Sequence, residues 1–188
     1  MKMLKSKLKA KITDVTVRDG LQSWKKILNV NERVNIVNLI SELGMRDIEV
    51  GSLVSEKVIP QMAGSLEVYK FCKSFNPNLN YHMLIANDNG LKIMNKNEGK
   101  FLSFFTSPSN AFNFKNINCS VDESFKKINK MIKKTNNETY VKVYLSCINQ
   151  CPYDGLLDDK VIINSINKLN NNKINEICLS DTLGTLKK

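Results

Sequence analysis

Six short runs rich in β-branched and aromatic residues alternate with stretches of helical periodicity, and this alternation limits the fold more than any other feature. The strand predictions cover residues 12–17, 47–50, 79–84, 101–105, 140–145 and 174–179. Strands that alternate with helices usually pair in parallel through right-handed crossovers. The sequence therefore predicts an α/β fold with a parallel sheet.

Apolar residues spaced by three and four predict helices between these strands. Three helix faces are predicted: Val34, Val37, Ile40 and Leu43; Phe125, Ile128, Met131 and Ile132; and Val161, Ile162, Ile166 and Leu169. Gly44 stands where a left-handed helix terminator is expected. Ser120 and Glu123 have the spacing of a capping box, and Asp158 is the predicted start of the last helix.

Charged residues stand at the carboxyl ends of several predicted strands. Arg18 and Asp19 follow the first strand, with Gly20 as the expected turn residue, Glu49 lies on the second and Asp181 follows the sixth. An open doubly wound sheet would favour a glycine-rich phosphate loop after its first strand, and that motif is absent. Converging charge favours an incomplete (β/α)₈ TIM-barrel type with about six β/α units. We interpret residues 1–188 as one incomplete catalytic domain that begins with a basic extension, residues 1–11.

The chain carries a formal net charge of +10. Attraction of a polyanionic small molecule or of nucleic acid would each explain it. The lysines are spread along the chain and asparagine is comparably abundant, including the run at 170–172, which favours a genome-wide compositional bias. Arginine-rich nucleic-acid signatures and membrane-length apolar runs are both lacking. We expect no nucleic-acid or membrane partner and a cytoplasmic location, with the mitochondrial matrix as the alternative.

Five cysteines in a sequence without an export signal predict reduced structural thiols rather than a disulfide framework. They are Cys72, Cys119, Cys147, Cys151 and Cys178. Three residues separate Cys147 from Cys151, which suits neither a thioredoxin-like pair nor a zinc knuckle. We expect both to line a strand end, and Cys119 to be packed.

Five tracts occur in a recognisable order. They are Arg18-Asp19-Gly20-Leu21-Gln22, Ile48-Glu49-Val50, Asn116-Ile117-Asn118-Cys119-Ser120, Ser146-Cys147 with Cys151-Pro152-Tyr153, and Ser180-Asp181-Thr182-Leu183-Gly184. Together they resemble the 3-hydroxy-3-methylglutaryl-CoA lyases, within a superfamily of metal-dependent lyases and Claisen-type synthases. The first tract is shared across that superfamily, whereas the third and fourth favour the lyase branch.

The resemblance implies retro-Claisen cleavage of an acyl-CoA substrate, giving acetyl-CoA and acetoacetate. It also implies a divalent metal, Mg²⁺ or Mn²⁺, that chelates substrate oxygens and lowers the cost of forming the alkoxide. The implied site comprises Asp19 as metal ligand, Arg18, Glu49 and Asp181 as catalytic residues, and Gln22, Asn116 and Asn118 as substrate-binding residues. The tract at 116–120 has a second explanation, because Ser120 and Glu123 would also make it a helix start.

The family pattern also requires a His-x-His pair on the seventh strand and an asparagine after it. The only histidine, His82, falls on the third predicted strand, where we expect a pocket or packing residue. We therefore expect a truncated lyase that is weak or inactive as the isolated chain, associating through open sheet edges or as a homo-oligomer. The alternatives are a Claisen-type synthase that condenses acetyl-CoA with a keto acid, and a non-catalytic barrel fragment.

Two smaller departures from the family pattern stand out. Asn110 occupies a position where the lyases usually have glutamate. Leu84-Ile85-Ala86-Asn87 stands where Leu-Thr-Pro-Asn is common. These departures bear on substrate detail and leave the superfamily assignment unchanged.

Overall fold

A six-stranded parallel sheet, in the order β1-β2-β3-β4-β5-β8, forms the framework of the molecule. The computed structural model describes residues 10–169 and 173–186. The sheet strands are β1 (Thr13–Asp14), β2 (Asp47–Leu53), β3 (Asn80–Ile85), β4 (Phe101–Thr106), β5 (Tyr140–Ser146) and β8 (Glu176–Ser180). A separate antiparallel hairpin consists of β6 (Gln150–Cys151) and β7 (Gly155–Leu156). The predicted parallel α/β sheet is confirmed.

Six α-helices connect or cover the strands. They are α1 (Val30–Glu42), α2 (Ser65–Phe75), α3 (Asp88–Lys96), α4 (Asn110–Ile117), α5 (Val121–Lys133) and α6 (Asp159–Lys168). A π-helical turn spans Thr16–Gly20 and a 3₁₀ turn spans Pro60–Met62. No helix within 10–169 and 173–186 is both long and apolar enough to cross a bilayer.

The two faces of the sheet differ in chemistry, as β5 illustrates. Val141, Val143 and Leu145 are fully buried in the main hydrophobic core. The intervening Lys142 and Tyr144 bond to polar groups on other strands. Burial of apolar side chains stabilises the sheet–helix layer by about 25 cal/mol per Å² removed from water. The opposite face is left as a polar, concave interior.

Contacts across this concave face show that the sheet curls. Tyr144 on β5 reaches Glu49 on β2, and Lys142 on β5 reaches Thr13 on β1. These strands are separated by two or more others in the sheet order, so a flat sheet would keep their side chains apart. The fold is an incomplete TIM barrel, as the sequence predicts.

The first strand is shorter than predicted. Strand β1 ends at Asp14, whose carboxylate accepts the Thr16 amide at 2.9 Å. The Val15 carbonyl then accepts the amides of Arg18, Asp19 and Gly20, which closes a tight turn in place of more strand. Gly20 lies in this turn as predicted, although its φ is not positive.

Two predicted core positions were also wrong. Leu43 is 82% exposed because α1 ends at Glu42, and Gly44, at φ +91°, turns the chain away as predicted. Val161 is 43% exposed. It sits in the first turn of α6, outside the buried stripe of Ile162, Ser165 and Leu169.

The other helix signals are confirmed. Ser120 and Glu123 form a capping box at the start of α5, and the Asp158 carboxylate caps α6 by accepting the Lys160 amide at 2.7 Å. Phe125, Ile128, Met131 and Ile132 are buried on one face of α5. Residues 1–9 of the predicted extension, the asparagine run at 170–172 and residues 187–188 lie outside the described residues.

Candidate active site

A compact charge cluster joins the turn after β1 to the first half of β2, which continues past Glu49 to Leu53. Arg18 Nε donates to Glu49 Oε2 at 2.5 Å, and Arg18 Nη1 donates to Asp19 Oδ1 at 2.6 Å. The π-helical turn places Arg18 and Asp19 side by side, and β2 carries Glu49. Three of the predicted site residues therefore form a single hydrogen-bonded group.

Burial differs sharply within this group. The Glu49 side chain is 0% exposed and that of Arg18 is 11% exposed, whereas 63% of the Asp19 side chain faces solvent. Burial disfavours the charged guanidinium, but attraction to Glu49 and Asp19 outweighs it and raises the pKa of Arg18. The cluster thus holds a permanent cation at the edge of a closed interior.

Tyr144 completes the cluster and was missed in the sequence. Its hydroxyl donates to Glu49 Oε2 at 3.3 Å, and the Arg18 guanidinium carbon lies 5.3 Å from its ring centroid. Burial, reinforced by the negative charge of Glu49, raises the pKa of Tyr144 and keeps the phenol protonated. Polar and apolar residues alternate along residues 140–146, and that alternation is the signal that could have found it.

The Glu49 carboxylate has one engaged oxygen and one free oxygen. Oε2 accepts from both Arg18 and Tyr144. Oε1 is buried and has no hydrogen-bond partner within the described ranges. A buried carboxylate oxygen without a partner costs about 1–3 kcal/mol, so this atom is a ready acceptor for a hydroxyl brought by a ligand.

Asp181 is not in contact with this cluster. It follows β8, and its carboxylate accepts the Leu186 amide at 2.8 Å. Hydrogen bonds from the backbone of this loop, led by that of Leu186, hold the pKa of Asp181 below its usual range. Gln22 lies next to the cluster in sequence, in the helical turn after Gly20, and is partly exposed.

The tract at 116–120 forms a corner between two helices. The Asn116 side-chain amide donates back to the Phe112 carbonyl at 2.8 Å, and Asn118 caps α4 at φ +47°. Ser120 starts α5. The helix-start explanation accounts for this geometry, and substrate binding by Asn116 and Asn118 stays a prediction.

A hydrogen-bonded platform joins the β4–α4 loop to the β6–β7 hairpin. Ser109 Oγ donates to Asp154 Oδ2 at 2.6 Å and lies 3.0 Å from Cys151 Sγ. Burial alone would raise the pKa of Cys151, but hydrogen bonds from Ser109 and from the backbone of Asp154 and Tyr153 lower it. Cys147 follows β5 directly and is fully buried.

The thiol predictions are confirmed. All five cysteines are free, and Cys119 is 2% exposed within the helix corner. Cys147 and Cys151 lie at a strand end as expected.

His82 is the packing residue that the sequence predicts. It is fully buried, its Nε2 lies 3.1 Å from Asp47 Oδ1, and its ring centroid lies 5.0 Å from that of Phe101. Burial lowers the pKa of His82 despite the bond to Asp47. Asp47 opens β2, so this pair sits at the amino ends of the strands, where His82 is the register partner of Glu49.

The described residues do not by themselves make a metal centre. Over 10–169 and 173–186, no three histidine, cysteine or carboxylate side chains are grouped so that they could hold an ion. Asp19 offers one exposed carboxylate, already paired with Arg18. Mg²⁺ requires near-octahedral oxygen coordination, which this single side chain does not supply.

The fold and the cluster define a class: an incomplete TIM barrel with a buried, catalytic-type charge cluster on its concave face. The HMGL-like family model matches residues 9–188, and the chain belongs to that family.

Individual relatives agree with this assignment. The mitochondrial hydroxymethylglutaryl-CoA lyase of Macaca fascicularis is 35% identical over 93% of this chain and 54% of its own length. A 3-hydroxy-3-isohexenylglutaryl-CoA/hydroxy-methylglutaryl-CoA lyase of Pseudomonas aeruginosa is 34% identical over 94% and 59%. A crystal structure of hydroxymethylglutaryl-CoA lyase from Pseudomonas aeruginosa superposes with a TM-score of 0.85 at 34% identity, over 92% of this chain and 58% of that one. The chain thus spans little more than half the length of these relatives.

Proposed function

We propose that this chain provides the first six β/α units of a carbon–carbon lyase that cleaves 3-hydroxy-3-methylglutaryl-CoA to acetyl-CoA and acetoacetate. One observation carries the proposal: the guanidinium of Arg18 is fixed by Glu49 and Tyr144 within a chain of the HMGL-like family. Retro-Claisen cleavage expels an enolate, and a cation that is already positioned stabilises that charge without reorganisation.

Each cluster residue has a proposed role. Arg18 binds the enolate oxygen as the carbon–carbon bond breaks. Glu49 holds Arg18 through Oε2 and accepts the substrate hydroxyl at Oε1, which is free of partners among the described residues. Asp19 contacts Arg18 from the solvent side and orients Nη1 of the guanidinium by accepting its hydrogen bond.

The predicted residues outside the cluster keep their proposed roles. Gln22 adjoins the substrate, Asn116 and Asn118 lie at the CoA entrance, and Asp181 handles a proton. The family resemblance implies Mg²⁺ or Mn²⁺, which would polarise substrate oxygens. Among the described residues only Asp19 is proposed as a metal ligand, so we assign no reaction step to the metal.

The test is complementation. The 188-residue chain is mixed with a second polypeptide carrying the part of the Macaca fascicularis lyase that it does not cover, and acetoacetate is measured with Mn²⁺ and 3-hydroxy-3-methylglutaryl-CoA. We expect little turnover from the chain alone and clear turnover from the mixture. Arg18→Gln should lower the mixture's kcat by roughly 10²–10³, the usual cost of one oxyanion-stabilising donor. Arg46→Gln, which changes an exposed arginine outside the cluster, is the matched control.

Three results would count against this proposal. A folded mixture that releases no acetoacetate would contradict it, as would equal loss in the Arg18 and Arg46 variants. Release of free CoA from acetyl-CoA and a keto acid, without cleavage of the lyase substrate, would favour the Claisen-type synthase.

A further inference from the structure

A cleft of about 610 Å³ opens between α3 and α5, beside the ends of β3 and β4. None of the charge-cluster residues Arg18, Glu49 and Tyr144 lines it. Small-molecule sites in proteins typically measure about 300–1,000 Å³, so the cleft is large enough for a ligand of its own.

The interior of the cleft is apolar. Its lining includes Ile85, Phe105, Ile117, Ile128 and Met131. Two departures from the family pattern, Ile85 and Ala86 in the segment 84–87, form part of this wall. A hydrocarbon chain placed here would leave water at about 25 cal/mol per Å².

Three of the polar side chains that line the cleft already have hydrogen-bond or ion-pair partners. Ser124 Oγ lies 2.6 Å from Thr106 Oγ1, and the Asn87 side chain accepts the Gly90 amide at 2.9 Å. Asp88 at the rim pairs with Lys134 at 2.5 Å. These groups offer little to a ligand that needs hydrogen bonds along its length.

The net charge at the rim is positive. Lys127 and Lys130 both line the cleft from α5, three residues apart and therefore on one helix face. Neither makes an ion pair within the described part of the chain, although the charge of Asp88 acts on Lys130 and that of Glu123 acts on Lys127. An apolar interior beneath two lysines that make no close ion pair is complementary to an anion with a hydrocarbon tail.

We propose that this cleft binds a medium-chain carboxylate, with its hydrocarbon chain on the apolar lining and its carboxylate between Lys127 and Lys130. The site is independent of the lyase reaction proposed above. Two of the lysines that contribute to the net positive charge of the chain would then have a specific role in ligand binding.

The probe is laurate, titrated calorimetrically into the 188-residue chain, with butyrate as the short-chain comparison. We expect saturable 1:1 binding of laurate and much weaker binding of butyrate, which cannot fill the apolar part. In NMR spectra, laurate should shift the methyl signals of Ile128 and Met131.

The variants separate charge from packing. Lys127→Ala with Lys130→Ala should weaken laurate binding about two- to thirtyfold, since each exposed ion pair contributes about 0.2–1 kcal/mol. Lys126→Ala with Lys133→Ala removes the same charge from α5 outside the cleft and should leave binding unchanged. Ala86→Phe should block the chain-binding part.

The proposal is overturned if laurate does not saturate, if butyrate binds as well, or if both lysine pairs lose affinity equally. Methyl shifts confined to residues outside the cleft would also overturn it. The lysine variants change exposed side chains, so they keep the test decisive even if Ala86→Phe fails to fold.

Discussion

Lys142 Nζ donates to Thr13 Oγ1 at 3.1 Å, joining β5 to β1 across the concave side of the sheet, 129 residues apart in the chain. The same ammonium group lies 3.2 Å from Glu176 Oε1 on β8, and the Lys142 side chain is only 3% exposed. A buried ammonium group is tolerated when it is paired with an opposite charge and hydrogen-bonded. This lysine therefore closes the interior of the incomplete barrel from three strands.

Replacement of this lysine tests that closure. Lys142→Met should lower the free energy of unfolding by about 2 kcal/mol, less than the 3–5 kcal/mol of a fully buried pair because Glu176 is one-third exposed. Urea denaturation measures the change. Adding Glu176→Gln should restore part of the loss, since it removes a carboxylate that has lost its cation, while the amide oxygen can still accept from the Tyr140 hydroxyl. Equal stability of Lys142→Met and the native chain would contradict the closure.

His82 should make stability depend on pH. Burial lowers its pKa despite the bond to Asp47, and the positive charge of Lys142 acts in the same direction. Between this lowered pKa and the unfolded value of about 6.5, the unfolded chain binds more protons, so the free energy of unfolding rises with pH. Stability should be complete above about pH 6.5 and decline as the pH falls, by at most about 1.4 kcal/mol per pH unit.

The assignment is unusually clean because His82 is the only histidine. His82→Gln should remove the pH dependence between about pH 5 and 7, where no other unperturbed side chain titrates. Chemical denaturation at several pH values gives the slope. An unchanged slope in the variant would assign the titration elsewhere.

Gly51 is required by a close approach of three elements. A Cβ added there would lie 2.4 Å from Ser65 Oγ and 2.9 Å from Arg33 Nη2. Arg33 is fully buried and donates to the carbonyls of Ala63 and Val50, so it cannot move freely. Gly51→Ala should cost about 1–3 kcal/mol of stability.

A second glycine provides the control. A Cβ at Gly20 would be 3.8 Å from the Thr16 methyl, an ordinary contact, and its φ is not positive. Gly20→Ala should therefore change the midpoint of thermal unfolding far less than Gly51→Ala. Equal effects of the two substitutions would show that Ser65 and its neighbours move to accommodate the added methyl group without loss of stability.

The helical and strand periodicities were sufficient to predict the parallel α/β sheet, because they record which side chains pack on the sheet. Val34 and Ile128 are buried as their spacing predicts. The prediction that Leu43 lies on the buried face was wrong because periodicity does not locate the end of a helix. Gly44, the next residue, turns the chain away. The predicted length of β1 was wrong because the Asp14 carboxylate makes a local hydrogen bond that competes with strand pairing.

The site was only partly predictable for a different reason. Arg18 and Asp19 are adjacent in sequence, and Glu49 was predicted as a strand-end charge although β2 continues past it to Leu53. Tyr144 is 95 residues from Glu49 in the chain. Whether the two side chains meet depends on how tightly the sheet curls. Sequence spacing gives no measure of that curvature.

Tyr144 gives the most direct test of the cluster. Tyr144→Phe removes the hydroxyl that lies 3.3 Å from Glu49 Oε2 but retains the ring beside Arg18. Loss of one buried hydrogen bond should lower the free energy of unfolding by about 1 kcal/mol. In the complemented lyase, kcat should fall severalfold with little change in KM, because Glu49 would hold Arg18 less rigidly as the enolate forms. Tyr81→Phe, which changes a buried tyrosine of β3 outside the cluster, should leave kcat unchanged. A rise in KM with constant kcat would instead place Tyr144 in substrate binding.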